Sequence, residues 1–298
     1  QHPDLSTVPP AEARRIAEAV RAPWTRGGPA MAEVHEHVVP VPRRPDVRVR
    51  VHDPGLSAAR PVVYLHGGGW TIFSLDTHDR VMREYAARAR TVVVGVDYAL
   101  SPEAKYPVAL DQVCHIVRIL ACGGIVRGVE AGAMVLAGDS AGANLAVAAA
   151  LRLRDEGRTG LVRGLVLNYG VFDRATSAEA DRRFGGHGYM LSGAEMEVFW
   201  RNYLRDERDA QHPLVCPLRA DLRGLPPVLM IVPECDVLTE QSLAMAGCLG
   251  DAGVAVTLNL YPGATHSFLE AVSIAPLADR ALADTASWLQ GLLSRESS

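Results

Sequence analysis

The chain has 298 residues, 48% of them hydrophobic and 21% charged, which is the composition of a globular protein long enough to bury a large core. A net charge of −4 gives no basic excess for a nucleic acid or an anionic membrane surface, and no apolar run approaches the roughly 20 residues that cross a bilayer. The five cysteines are scattered and include no C-x-x-C pair, which argues against a disulfide framework or a zinc site and for a reducing, cytoplasmic setting.

Gln1-His2-Pro3-Asp4 has neither a basic nor an apolar leader character, so no signal peptide is expected in this sequence. Residues 1–45 hold a Pro-Pro-led helix, Ala11–Val20, and then Pro/Gly-rich chain. His35 and His37 share a strand-like spacing but have no nearby cysteine or third ligand, so no metal is expected. Val47–Val51 alternates with arginine, as a strand exposed on one face does. Pro61–Leu65, Thr91–Val96, Ala133–Gly138, Gly164–Asn168 and Val228–Val232 are short, apolar and β-branched, the pattern of parallel strands buried on both faces. Val254–Leu260 is a further strand candidate. Helical patterns cover Thr77–Arg90, Val108–Ala121, Ala141–Glu156, Glu240–Ala252 and Pro276–Leu293. This alternation predicts an α/β fold with a doubly wound sheet in a single domain over 1–298.

Residues 173–215 break the rhythm. Ser192-Gly193-Ala194-Glu195 reads as a capping box, followed by Met196, Phe199, Trp200, Tyr203 and Leu204 at helical spacing. Such a stripe packs against a neighbour, or forms a cap helix whose aromatic face roofs a site; the two are compatible. His187, in a Gly-rich stretch, reads as a turn residue.

Gly138-Asp139-Ser140-Ala141-Gly142 joins the run Ala133–Ala137 to a small-residue helix. A Gly-x-Ser-x-Gly at a strand-to-helix junction presents a serine on a tight, strained turn beside a helix amino terminus, where developing negative charge is favoured. This resembles the nucleophile elbow of the α/β-hydrolases, in which an acid and then a histidine follow the serine along the chain. Asp236, just beyond Val228–Val232, is the candidate acid, with Glu234 as a rival. His266 follows the last strand and is the only histidine after His212. His66-Gly67-Gly68-Gly69-Trp70 follows Pro61–Leu65, and consecutive glycines let backbone N–H groups turn toward a site without Cβ obstruction. The candidate oxyanion donors are therefore Gly68, Gly69 and Ala141. A phosphate cradle is disfavoured, because neither a Gly-Lys-Ser/Thr nor the dinucleotide-binding glycine spacing is present.

With Leu75-Asp76-Thr77-His78-Asp79 and Asp97-Tyr98-Ala99-Leu100-Ser101-Pro102-Glu103, these motifs resemble, from about residue 61 to 270, the bacterial hormone-sensitive-lipase-like (family IV) carboxylesterases, most closely the small acetyl esterases. The resemblance implies an α/β-hydrolase core, a mostly parallel twisted sheet with helices on both faces. It also implies a helical cap built from about 1–45 and 173–215. The activity it implies is hydrolysis of short-acyl, acetyl-type esters by a Ser140–His266–Asp236 triad, with no cofactor. The expected partner is a small-molecule ester rather than nucleic acid or membrane, and the chain is expected to be a monomer or homodimer. Trp70, Phe73, Phe199, Trp200 and Tyr203 are the expected lining of the substrate pocket. Phe73 stands where the family often has glycine, Val237 where proline is common, Ser267 where glycine or alanine is usual, and Ala99 where arginine or threonine is usual. Other readings are an amide deacetylase or tailoring hydrolase on a secondary metabolite, and a non-catalytic ligand-binding α/β-hydrolase.

Overall fold

The β-branched runs pair into one eight-stranded sheet in a computed structural model that describes residues 5–56, 60–124, 132–186 and 188–294; His187 lies outside them. The strands are β1 Glu33–Val39, β2 Val47–Asp53, β3 Val62–Leu65, β4 Val93–Asp97, β5 Met134–Asp139, β6 Val162–Asn168, β7 Val228–Cys235 and β8 Val256–Thr265. They lie in the order β1-β2-β4-β3-β5-β6-β7-β8. β2 runs antiparallel to both β1 and β4, and the other pairs are parallel. The helices are α1 Pro10–Thr25, α2 Asp79–Ala89, α3 Val108–Ala121, α4 Ala141–Asp155, α5 Ala178–Phe184, α6 Gly193–Tyr203, α7 Thr239–Asp251 and α8 Pro276–Leu293.

Strand periodicity sorts the core into two layers. Val63, Leu65 and Leu136 face the layer that holds α3, α4 and α7, while Val62, Tyr64, Val135 and Ala137 face the layer that holds α2 and α8. Every residue of β3 and β5 is buried, because helices cover both faces of the sheet centre. This is the α/β fold expected from the alternation of elements, in the mostly parallel form that the resemblance implies.

Two elements depart from the sequence reading. Glu33–Val39 is the first strand of the sheet rather than part of a cap extending to residue 45. All but Val39 of this edge strand is partly or fully exposed, so it carries no apolar periodicity to announce it. The short helix α5 has no hydrophobic pattern to mark it; it is set by Ser177, whose side chain accepts from the Ala180 N–H. The capping box at Ser192 is present in both directions and starts α6.

Candidate active site

At the elbow, Ser140 has φ 53° and ψ −117°, a backbone conformation costly for any side-chain-bearing residue. It is held by its N–H, which donates to the Asn168 carbonyl at 2.9 Å, and by close packing on the end of β3. A Cβ at Gly138 would stand 2.7 Å from the Leu65 carbonyl oxygen, and one at Gly142 would overlap that same carbonyl. The glycines two residues either side of Ser140 are thus required by contact with β3.

β7 and β8 end side by side beyond the sheet edge, and each delivers one residue. The imidazole Nε2 of His266 lies 3.1 Å from Ser140 Oγ, and its Nδ1 lies 2.7 Å from Asp236 Oδ2. The other Asp236 oxygen accepts the Leu238 N–H at 3.0 Å, which fixes the carboxylate. Glu234 is exposed and accepts from the Gly263 N–H at 2.9 Å, so the imidazole meets Asp236 and not its rival. All three side chains are buried: Ser140 6%, Asp236 2% and His266 5% exposed. Burial alone would depress the His266 pKa. The charge of Asp236 and its hydrogen bond, with Asp139 and Glu270 farther off, outweigh burial and raise it above the ordinary histidine value.

The glycine loop turns at Gly68 and Gly69, with φ of 98° and 56°. The N–H groups of Thr71 and Ile72 both donate to the Gly68 carbonyl at 2.9 Å, which directs that carbonyl back into the loop. Among the described residues, neither the Gly68 nor the Gly69 amide donates to a backbone or side-chain acceptor. Ala141 opens α4, where a first-turn amide lacks an intrahelical acceptor. The three candidate donors are therefore unspent N–H groups around Ser140.

Beneath the elbow lies a network that the sequence reading assigned no role. Asp139 is 1% exposed; it accepts from the Tyr64 hydroxyl at 2.9 Å and pairs with His78 Nε2 at 3.3 Å. Burial opposes the His78 imidazolium, but Asp139 outweighs it and raises the His78 pKa. Burial likewise opposes the Asp139 carboxylate, and the His78 charge overrides it and keeps the pKa low. His66, stacked on Tyr98 at 4.4 Å between centroids, is pushed down to about 4, first by burial and then by the His78 charge. The places of Asp139 inside the serine motif and of His78 in its own motif were the sequence signals for this pair. His78, Asp139 and Glu270 have side-chain donor atoms within 4.8 Å of one another. Within this group His78 pairs with Asp139 at 3.3 Å, while Glu270 pairs with Arg21 at 2.8 Å.

A cavity of about 180 Å³ opens on Ser140 and His266. Its walls come from α1 (Ile16, Ala17, Val20, Arg21), from the glycine loop as far as Phe73, and from the segment carrying α6 (Met190, Leu191, Met196, Phe199). Of the five aromatic residues expected at the pocket, Phe73 and Phe199 line this cavity. Trp70, Trp200 and Tyr203 do not. They are at most 1% exposed and pack on one another, with Trp70 stacked on Tyr203 at 4.1 Å and tilted against Trp200 at 4.8 Å. They bind α6 to the glycine loop, because the face of α6 that carries Trp200 and Tyr203 turns into the core against Trp70. Among the described residues, no helix is long and apolar enough to cross a membrane.

Fold and site together define an α/β-hydrolase with a serine elbow. A family model described as the alpha/beta hydrolase fold matches residues 62–270. The acetyl esterase of Salmonella paratyphi B is 35% identical over 265 residues, 88% of this chain and 81% of that protein. A fungal esterase structure from Rhizomucor miehei superposes with TM-score 0.92 at 32% identity, covering 99% of this chain and 94% of the other. An esterase from Pyrobaculum calidifontis gives TM-score 0.91 at 31% identity, covering 96% and 94%. The chain belongs to the hormone-sensitive-lipase-like family IV of the α/β-hydrolases and is a hydrolase enzyme.

Proposed function

We propose that this protein is a serine carboxylesterase acting on short-acyl esters through an acyl-enzyme. The observation that carries the reading is the continuous relay from Ser140 Oγ to His266 Nε2 at 3.1 Å and from His266 Nδ1 to Asp236 at 2.7 Å. Ser140 Oγ attacks the ester carbonyl while His266 takes its proton. Asp236 holds the imidazole in the tautomer that has Nε2 free and offsets the charge of the imidazolium. The carbonyl oxygen, now an anion, lies against the N–H groups of Gly68, Gly69 and Ala141, each donor worth roughly 3 kcal/mol at the transition state. Collapse of the tetrahedral species expels the alcohol, which leaves with the His266 proton. Water, deprotonated by His266, then attacks the acyl carbon and releases the acid and free Ser140.

A small acyl group is supported by the limited volume of the cavity and by the acetyl esterases among the relatives. Five cysteines without disulfide partners support a reducing compartment, the cytoplasm. The test is hydrolysis of p-nitrophenyl acetate together with intact-mass detection of one organophosphate adduct per chain. Ser140→Ala is expected to lose both turnover and adduct. Undiminished turnover in that variant would end the proposal.

A further inference from the structure

The glycine loop closes on a residue whose backbone geometry disfavours a side chain. Phe73 sits at φ +70°, in the left-handed region where a Cβ is crowded and bulky residues are outliers. Its surroundings hold it there. The Arg21 guanidinium lies 5.0 Å from the ring centroid and the His78 ring 5.7 Å away, and the ring edge lies against Gly68, where an added Cβ would come within 2.8 Å of it.

Phe73 is partly buried against the core, and it lines the cavity that also holds Ser140 and His266. A strained phenylalanine packed on the core by one side also turns a face to a catalytic cavity, where it gains no burial. What the ring does achieve is to occupy cavity space. The remaining volume, about 180 Å³, is close to that of a pocket that takes one benzene-sized molecule and well below that of a drug-sized site.

We infer that Phe73 sets the size ceiling of the substrate, its ring standing where a longer chain of the ester would extend. The inference rests on the reading of Ser140 as the nucleophile and adds which residue limits what that nucleophile can reach. Glycine adopts φ +70° without strain, so Phe73→Gly removes the ring and relieves the backbone together. Phe73→Ala removes the ring and keeps the strain.

The experiment measures kcat/KM for parent, Phe73→Gly and Phe73→Ala on two panels: p-nitrophenyl esters from acetate to octanoate, and acetate esters of alcohols of increasing size. Thermal melting checks each variant for folding. The quantity read is the ratio of long to short substrate within one protein, which a change in active fraction does not move. In at least one panel that ratio is expected to rise about tenfold or more in both variants. Phe73→Leu, a smaller trim that stays apolar, enters the same comparison if either variant loses its melting transition, and its ratio is expected to rise in the same direction. Ratios within twofold of the parent in both panels overturn the inference. Ser140→Ala separates the two failures: if it still hydrolyses the panels, the nucleophile assignment has fallen rather than the role of Phe73.

Discussion

A serine hydroxyl is a poor nucleophile near neutrality, so on the proposed mechanism its reactivity depends on the proton affinity of the imidazole 3.1 Å away. In the proposed mechanism His266 acts as base only when neutral. Because Asp236 raises its pKa, the acidic limb of the activity profile is expected above the ordinary histidine value of about 6.5. Asp236→Asn removes the charge that raises it, so the limb should move to lower pH. The plateau should fall on the order of 10⁴-fold, as the imidazole loses its orienting partner. A limb that stays in place in Asp236→Asn would contradict this account. That these three residues would come together was legible because the proposed chemistry prescribes residue type and order along the chain, and the strand ends prescribe location. Trp70, Trp200 and Tyr203 were not, since helical spacing shows that a face is apolar but not what covers it. Asp139 and His78 each stand in a motif, but their pairing was missed because it spans 61 residues and no local pattern joins the two.

At the scale of elements, the fit between β3 and α4 holds the serine in its turn. A Cβ at Gly142 would overlap the Leu65 carbonyl and come within 2.7 Å of the His66 oxygen, both backbone atoms that no rotamer change moves aside. Gly142→Ala should therefore cost about 1–3 kcal/mol, read from the urea midpoint, and lower kcat by displacing Ser140. Gly247 offers the contrast. It lies within α7, and an added Cβ there would meet nothing within 4 Å, so Gly247→Ala should gain roughly 0.5–1 kcal/mol and leave kcat unchanged. Equal effects of the two changes on stability would refute the contact argument. The same distinction separates the elements that could be read from sequence from those that could not. α3 and α8 match their predicted ends because buried positions recur at helical spacing throughout. β1 escaped because an exposed edge strand needs no apolar face.

Across the whole molecule, the question is how the amino-terminal helix comes to roof a site built from strand ends. α1 is tied to the core by polar contacts made at long range. Arg14 donates to the carbonyls of Thr71 and Ser101 at 2.8 Å and pairs with Glu103, and Glu18 accepts from the Ser74 hydroxyl at 2.7 Å. Arg21 approaches Glu270 at 2.8 Å, with both side chains at most 6% exposed. None of these links was readable from sequence, because helix pattern places α1 along the chain and leaves its docking face open. The Arg21–Glu270 contact is short but lacks hydrogen-bond geometry, so its strength is mainly Coulombic. In a buried pair of this kind, removal of one member strands the other charge without water. Arg21→Met or Glu270→Met alone should cost about 3–5 kcal/mol, whereas the double variant carrying both changes should cost clearly less than the sum. Urea unfolding of the two single variants and the double variant, followed by tryptophan fluorescence, closes that cycle. Trp24 lies in α1 and Trp70 and Trp200 in the core, so one transition for all would show the roof unfolding with the sheet. Additive losses in the cycle would mean that the buried pair does not couple the roof to the site, leaving α1 held by Arg14, Glu18 and its buried Ala13, Ile16 and Ala17.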